Sequence, residues 1–275
     1  MMKQLNTPTC TFEEVFDAAT PSTQTIRKTA MDKFKKDVLA AGVAYQEAVL
    51  YHCLADIVSM ADPDDDERKL LSKAYDQGLV PQGSNGRRFY DKILSSSLNC
   101  AYCDIGVSYT LDHILPKTDI NFPDFSVLPI NLVPCCRDCN TDKMTWIPTC
   151  EDDSIVHPYF ENFTDVEFLK VIVEIEPARP VTFKYEIDPA SVYFARFNTQ
   201  FRNLRLGNKY SLLAMSEFSE CLNQYRLLYK SDPEELRKYC TNMYDSIASS
   251  NLCGWRAAFY KALIAEYPTY GALLV

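Results

Sequence analysis

The spacing of hydrophobic residues predicts a chain made mainly of helices. Met31, Phe34 and Val38, for example, recur at the intervals of three and four residues that place side chains on one helix face. The first twenty residues lack such periodicity and are expected to form an irregular arm. The predicted helices cover residues 25–41, 43–61, 65–77, 87–97, 191–206, 209–229, 232–249 and 254–267.

Other segments follow different patterns. Residues 166–176 and 180–187 are rich in β-branched and aromatic residues and predict two strands, joined by a turn at residues 177–179. Pro63 ends one helix, and the acidic residues around it suit the first turn of the next helix. The expected fold is mainly α, with this hairpin and a small inserted zinc finger. The predicted domains are residues 1–98, 99–147 and 148–275.

Composition supports a globular protein. The chain has 275 residues, of which 47% are hydrophobic and 24% charged, and this balance excludes wholesale disorder. No apolar run approaches the ~18 residues of a membrane span, and the N-terminus has no apolar signal-peptide core. We therefore expect a soluble cytoplasmic protein. The 11 cysteines are an odd number, which favours thiols and metal ligands over a disulfide framework.

Two Cys-x-x-Cys pairs predict a zinc site. Cys100 and Cys103 form the first pair, and Cys136 and Cys139 form the second. Each pair can form a tight turn that points two sulfurs at one metal ion. Cys135 is an alternative ligand, but only Cys136 has the two-residue spacing to Cys139. Four sulfurs leave no open position, so the zinc is expected to be structural.

Further polar residues lie between and just after these pairs. Asp112 and His113 are adjacent in a segment that reads as a strand, and Asn131 follows eighteen residues after His113. Asn140 comes directly after the last cysteine, and Lys143 lies one helical turn later. Neighbours in a strand point to opposite faces, so either the strand is distorted or the carboxylate of Asp112 and the imidazole of His113 serve different tasks, at a metal ion and at a water.

The pattern CxxC, LDHILPK and NLVPCCRDCNTDK over residues 99–146 resembles the HNH endonuclease family. This resemblance implies a ββα-metal finger that hydrolyses phosphodiester bonds, with His113 as general base. Asn131 would be the central asparagine and would hold the loop that carries His113. Asn140 would stand in the place of the last histidine and, together with Asp112, would bind catalytic Mg²⁺ or Mn²⁺. A neutral imidazole and oxygen ligands suit this chemistry near pH 7.

Two flanking segments are similar to the HNH subunit of Septu-type anti-phage defence systems. They are the FPDFSVLP stretch at residues 122–129 and the HPY tripeptide at residues 157–159. This resemblance implies an effector nuclease that works with a nucleotide-hydrolysing protein partner. Two alternatives stay open: an RNA or tRNA nuclease with the same finger, and a zinc module that only binds a partner.

Charge opposes a nucleic-acid substrate. The net charge is −9 and the isoelectric point about 4.9, so weak DNA binding and dependence on a partner are expected. Two basic segments depart from this background, and each could contact phosphates or be a solvated helix face. One segment covers residues 27–36, and the other contains Arg196, Arg202, Arg205 and Lys209. Outside both segments, Lys143 could also reach a phosphate.

The two further histidines are not the first choice for a functional role. His52 is expected in the middle of a helix, with no function. His157 precedes a proline and is expected to be structural, although it could act as a second phosphate ligand or acid.

Overall fold

The computed structural model describes residues 4–59, 64–176 and 180–274. The fold is mainly helical with two small antiparallel hairpins, as predicted. Within the described residues, no helix is long and apolar enough to cross a membrane. The helices are α1 (Phe12–Ala19), α2 (Ile26–Leu50), α3 (Asp65–Ala74), α4 (Arg87–Leu94), α5 (Arg137–Lys143), α6 (Phe194–Asn203), α7 (Leu206–Ser231), α8 (Pro233–Asn251) and α9 (Trp255–Ala272). The strands are β1 (Thr110–His113), β2 (Leu132–Cys135), β3 (Leu169–Glu174) and β4 (Thr182–Ile187).

The chain divides into two compact units. Described residues up to Glu161 form the first unit, and those from Asn162 onward form the second. The predicted finger, residues 99–147, lies inside the first unit.

The predicted irregular N-terminal arm is wrong for α1. The side chain of Thr11 accepts a hydrogen bond from the backbone N–H of Glu14, and Glu14 bonds back to the N–H of Thr11. This reciprocal cap stabilises a helix of only eight residues. Val15 and Phe16 of α1 are buried in the core. A helix this short offers too few residues for its periodicity to be recognised.

The two helices predicted over residues 25–61 are one helix and a turn. Helix α2 continues through Gly42, because the ring of Phe12 occupies the place of a side chain there: a Cβ would lie 2.5 Å from Phe12 Cδ1. The helix ends at Leu50, and His52 adopts a left-handed conformation with φ of 56°. The predicted mid-helix position of His52 is therefore wrong.

The acidic run before α3 forms a helix cap, as predicted for its described part. Asp64 and Glu67 form a reciprocal cap like that of α1. Asp62 and Pro63 lie outside the described residues. After Ala74 the chain continues as a π-helical turn, Tyr75–Leu79. The last residues of the predicted helix therefore adopt a π-helical and not an α-helical geometry.

Hairpin β1–β2 lies at the core of the first unit. Asp112 is opposite Val133 and His113 is opposite Leu132 in the antiparallel register. Helix α5 begins two residues after β2, so two strands and a helix follow one another directly. Leu111 and Leu132 of this hairpin join one apolar cluster with residues of α1 to α4. The core thus fixes the hairpin that carries Asp112 and His113.

The second unit contains the predicted hairpin and four helices. Strands β3 and β4 pair antiparallel, and the predicted turn at residues 177–179 lies outside the described residues. The four C-terminal helices are confirmed, with ends shifted by a few residues. The ring of Phe183 packs against those of Phe218 and Phe259, which joins β4 to α7 and α9.

Candidate functional site

The four predicted cysteines meet in one buried cluster. The ligand atoms of Cys100, Cys103, Cys136 and Cys139 all lie within 4.8 Å of one another. Sγ of Cys103 is 3.9 Å from Sγ of Cys136, close to the ~3.8 Å between sulfurs that Zn–S bonds of 2.3 Å imply for a tetrahedron. The cluster could therefore hold a structural metal such as zinc.

Backbone geometry builds each half of this cluster. Asp104, in a left-handed conformation with φ of 58°, turns the chain back so that its N–H bonds the carbonyl of Cys100 at 2.9 Å. Cys136 caps α5 and accepts the N–H of Cys139 at 3.4 Å. The N–H of Ala101 bonds the carbonyl of Pro134 at 3.0 Å, which ties the first half to β2.

Interactions among the four thiols lower the pKa of two of them. Hydrogen bonding with Cys100 lowers the pKa of Cys103 to about 7, and the neighbouring thiols, Cys100 first, hold the pKa of Cys136 well below its usual range. The same coupling raises the pKa of Cys100 and Cys139. Thiolate is the form that binds metal, so part of the ligand set is prepared for it.

Cys135, the alternative ligand, is not in the cluster. It is fully buried, and this burial raises the pKa of its thiol, which makes a neutral core residue of it. The structure brings Cys136, the residue chosen from its spacing, into the cluster. All eleven cysteines are free, so the expectation of no disulfide framework is also confirmed.

His113 is buried and held in one tautomer. Its Nε2 lies 2.8 Å from the carbonyl oxygen of Ser126, so Nε2 carries the proton and Nδ1 is the acceptor. The ring packs edge-on against Tyr75 at 4.6 Å between centroids. Burial lowers the pKa of His113 to about 3, so the imidazole is neutral near pH 7.

Nδ1 of His113 makes no hydrogen bond with a described residue. His113 is 6% exposed. Because Nε2 carries the proton, Nδ1 is the ring nitrogen that remains as a proton acceptor.

Asp112 points to a different environment from His113, as strand alternation predicts. Its Oδ2 accepts the hydroxyl of Tyr102 at 2.8 Å and lies 3.2 Å from Nζ of Lys143. Lys143 also donates to the carbonyl of His113 at 2.6 Å, and its side chain is only 1% exposed. The structure therefore places Lys143 in a buried ion pair between α5 and β1, not at the surface where a phosphate would bind.

Asn131 uses its side chain to hold two segments that follow His113. Its Oδ1 accepts the N–H of Leu115 at 2.8 Å, and its Nδ2 donates to the carbonyls of Leu115 and Phe125 at 3.0 and 3.2 Å. It is fully buried. Asn140, by contrast, is partly exposed in α5, one turn before Lys143.

The two remaining histidines differ in their solvent exposure. His157 is 1% exposed, and its Nε2 lies 3.3 Å from Oη of Tyr45. This burial does not place it where a phosphate ligand would be. His52 is exposed, with Nδ1 3.6 Å from the carboxylate of Glu161.

The two basic segments belong to different units. In the segment 27–36, ammonium groups of Lys28, Lys33 and Lys35 each lie within 3 Å of a carboxylate, as expected for a solvated helix face. The other segment belongs to the second unit. There, Arg202 and Arg205 are exposed, whereas Arg196 and Lys209 are half-buried.

Several residues that build the site were not predicted. Tyr102, between the first two cysteines, bonds Asp112, and Ser126 orients His113 through its backbone. Gly106 leaves room for the thiols: a Cβ there would lie 2.6 Å from Cys136 Cβ and 2.9 Å from its Sγ. Only Gly106 and Tyr102 gave a signal in the sequence, through their positions in and just after the first Cys-x-x-Cys pair.

The chain is similar to a phage protein. Protein ea31 of Escherichia phage lambda is 33% identical over 178 residues, which cover 62% of this chain and 57% of that protein. The chain therefore matches little more than half the length of this relative. No protein-family model matches the chain. No solved structure matches it either.

Proposed function

We propose that this protein is a metal-dependent HNH endonuclease that hydrolyses phosphodiester bonds in DNA. The observation that carries the proposal is the state of His113. Its imidazole is neutral, Ser126 fixes its tautomer, and Nδ1 makes no hydrogen bond with a described residue. A neutral imidazole that is held in one orientation has a lone pair with which it can accept a proton from an attacking water.

The surrounding residues support this role. Asn131 holds the strand exit after His113 and the loop before Ser126, which keeps the imidazole in one orientation. The succession of β1, β2 and α5 around four cysteines supports the proposal, because it is compatible with the ββα order that the resemblance implies. Zinc in the cluster would join the first Cys-x-x-Cys turn to α5.

Oxygen atoms of Asp112 and Asn140 would be the ligands of a second, catalytic cation. Oδ2 of Asp112 is taken up by Tyr102 and Lys143, but no hydrogen bond from a described residue reaches Oδ1. This oxygen and the partly exposed amide of Asn140 are the donor types that Mg²⁺ and Mn²⁺ prefer. A bound cation would offset the negative charge that builds up on the phosphate oxygens during hydrolysis.

An exposed aromatic and a guanidinium offer a contact surface for nucleic acid on the finger. Tyr109, 64% exposed, directly precedes β1, and the guanidinium of Arg137 at the start of α5 lies 5.8 Å from its ring centroid. Such pairs contact nucleic acids through stacking and charge. Tyr109 and Arg137 would bind the substrate through this surface.

The cellular role that we propose is that of an effector nuclease in a cytoplasmic anti-phage defence complex, with a nucleotide-hydrolysing protein as partner. Residues 122–129 and 157–159 support it by their resemblance to Septu-type subunits. The net charge of −9 supports a partner, because a chain this acidic repels DNA at long range.

A second candidate function is a non-catalytic zinc module that binds a partner. The observation in its favour is the ion pair of Asp112 with Lys143, which reduces the charge available to a catalytic cation. RNA or tRNA is the alternative substrate of the proposed enzyme.

Cleavage by His113→Ala tests the proposal. Wild type and variant are incubated with plasmid DNA and with tRNA, with and without Mg²⁺, and bound zinc is measured for both. Loss of the base should lower turnover by ~10²–10⁴-fold and leave zinc in place. His52→Ala, an exposed histidine of the same unit, should cleave like wild type. A wild type that cleaves neither substrate, or a His113→Ala protein that cleaves equally well, would contradict the proposed function.

A further inference from the structure

Two buried side chains outside the HNH-like motif hold the amide of Asn131. Oη of Tyr45 lies 3.1 Å from Oδ1 of Asn131 and 3.3 Å from Nε2 of His157. Tyr45 belongs to α2, and His157 follows the finger. Asn131 and Tyr45 are 0% exposed and His157 is 1% exposed. Three distant parts of the chain therefore meet in one hydrogen-bonded chain.

The acceptors determine where the protons of this chain lie. Oδ1 of Asn131 can only accept, so the single hydroxyl proton of Tyr45 points to it. Nδ1 of His157 accepts the N–H of Tyr159 at 3.4 Å, which places the imidazole proton on Nε2. His157 therefore donates to Tyr45, and Tyr45 donates to Asn131. Burial raises the pKa of Tyr45 well above its usual range, so the hydroxyl stays a donor.

The amide at the end of this chain controls the surroundings of His113 from two directions. Leu115, which it bonds twice, lies two residues after His113. Phe125, whose carbonyl it also bonds, directly precedes Ser126, the residue that accepts the proton of His113 Nε2. A displacement of Asn131 would therefore move both the strand exit and the acceptor that orients the imidazole.

We propose that Tyr45 and His157 are positioning residues, which act through Asn131 to fix the imidazole of His113. His157 is then neither a phosphate ligand nor an acid. The effect on turnover rests on the proposed nuclease function, whereas the effect on the His113 imidazole does not.

The kinetic test compares two tyrosine variants that each lose one buried hydroxyl. Tyr45→Phe should lower kcat by ~10–100-fold with KM unchanged, because small displacements of a catalytic group reduce rates on this scale. Tyr159→Phe is the matched control: its hydroxyl donates to the carbonyl of Leu132 at 2.7 Å, outside the chain to Asn131. Its kcat should stay within ~3-fold of wild type.

Variants of His157 test whether the chain acts as a unit. His157→Gln retains an N–H that can donate to Tyr45 and should keep most of the wild-type kcat, whereas His157→Leu should be as slow as Tyr45→Phe. The double variant Tyr45→Phe/His157→Leu should be no slower than Tyr45→Phe, since residues of one network are not additive. Additive losses would overturn the proposal.

A spectroscopic test needs no activity. The Nε2–H proton of His113, buried and bonded to Ser126, is observed by NMR in ¹⁵N-histidine-labelled protein and assigned by its loss in His113→Gln. We expect this signal to shift and to exchange faster in Tyr45→Phe, but not in Tyr159→Phe. An unchanged signal, or equal changes in both variants, overturns the proposal. A shifted signal in a protein that cleaves nothing supports the positioning role and contradicts only the nuclease function.

Discussion

The imidazole of His113 is buried in the first unit, and this burial keeps it neutral. The ring of Tyr75 and the carbonyl of Ser126 contact it, and no carboxylate of a described residue is hydrogen-bonded to it. A protonated imidazole would be poorly solvated there, which is why its pKa falls to about 3. The free energy of folding must therefore depend on pH.

Acid should destabilise the protein through His113. The unfolded chain binds a proton at this residue near pH 6.5, but the folded chain does so only near pH 3. Stability from this group is complete above pH 6.5 and is lost as the pH falls toward 3, by up to ~1.4 kcal/mol per pH unit. Urea unfolding between pH 4 and 8 should show a shallower pH dependence in His113→Gln than in wild type. Parallel curves would contradict the assigned pKa.

Lys143 should affect stability rather than substrate affinity. Lys143→Met leaves the buried carboxylate of Asp112 without its cation, which should lower the free energy of unfolding by ~3–5 kcal/mol. Arg137→Met, which removes an exposed charge from the same helix, is the control and should unfold nearly like wild type. A lysine that bound phosphate would give the reverse result for Lys143→Met: unchanged unfolding and a smaller salt dependence of binding.

At the level of elements, the sulfur cluster joins the turn before β1 to the start of α5. The same turn carries Tyr102, so metal binding and the orientation of Asp112 depend on one short segment. Gly106 closes this segment against Cys136, with no room for a larger side chain.

Gly106→Ala should weaken metal binding without removing a ligand. The added methyl group would displace Cys136, and we expect a loss of ~10–100-fold in zinc affinity, as for other residues that support a metal site. Gly83→Ala is the control, because no atom lies within 4 Å of a Cβ there. Zinc competition with a chromogenic chelator measures both. Equal affinities would show that the cluster tolerates the methyl group.

Local signals in the sequence predicted most elements and the four sulfur ligands. Two-residue spacing selected Cys136 over Cys135, and helical periodicity located α3, α4 and the C-terminal helices. Prediction was wrong where a distant residue decides the local structure. Gly42 does not end a helix because Phe12 packs on it.

The contacts around the candidate site could not be predicted from the spacing of residues in the sequence. Tyr45 bonds Asn131 across 86 positions of the chain, and Lys143 is buried by Asp112 of another element. Such contacts arise only when the chain folds, so the motif predicted the four cysteines of the cluster but not the side chains that hold Asn131 and Asp112.

Over the whole molecule, charge is unevenly divided. Residues 162–275 contain 13 of the 28 basic and 13 of the 37 acidic residues, so the net charge of −9 falls on the part of the chain up to residue 161. That part contains the finger. DNA approaching His113 therefore meets an acidic unit, and a partner with a basic surface would reduce this repulsion.

Weak DNA binding by the isolated chain follows from this distribution. At about physiological salt we expect a Kd above ~10⁻⁶ M for a short duplex, measured by gel shift. Asp65→Asn/Asp66→Asn removes two exposed charges and should tighten binding at low salt but not at high salt, where charges are screened. Tight binding and rapid cleavage by the chain alone would contradict the need for a partner.

The positions of the four cysteines also set the timing of assembly during synthesis. Cys100 and Cys103 leave the ribosome before β1 and Asn131, but Cys136 and Cys139 follow them. A nascent chain therefore holds only half a metal site until translation has passed residue 139, and His113 cannot be fixed earlier by the completed finger. A metal ion bound by all four cysteines would therefore join the chain only after Cys139 has been synthesised.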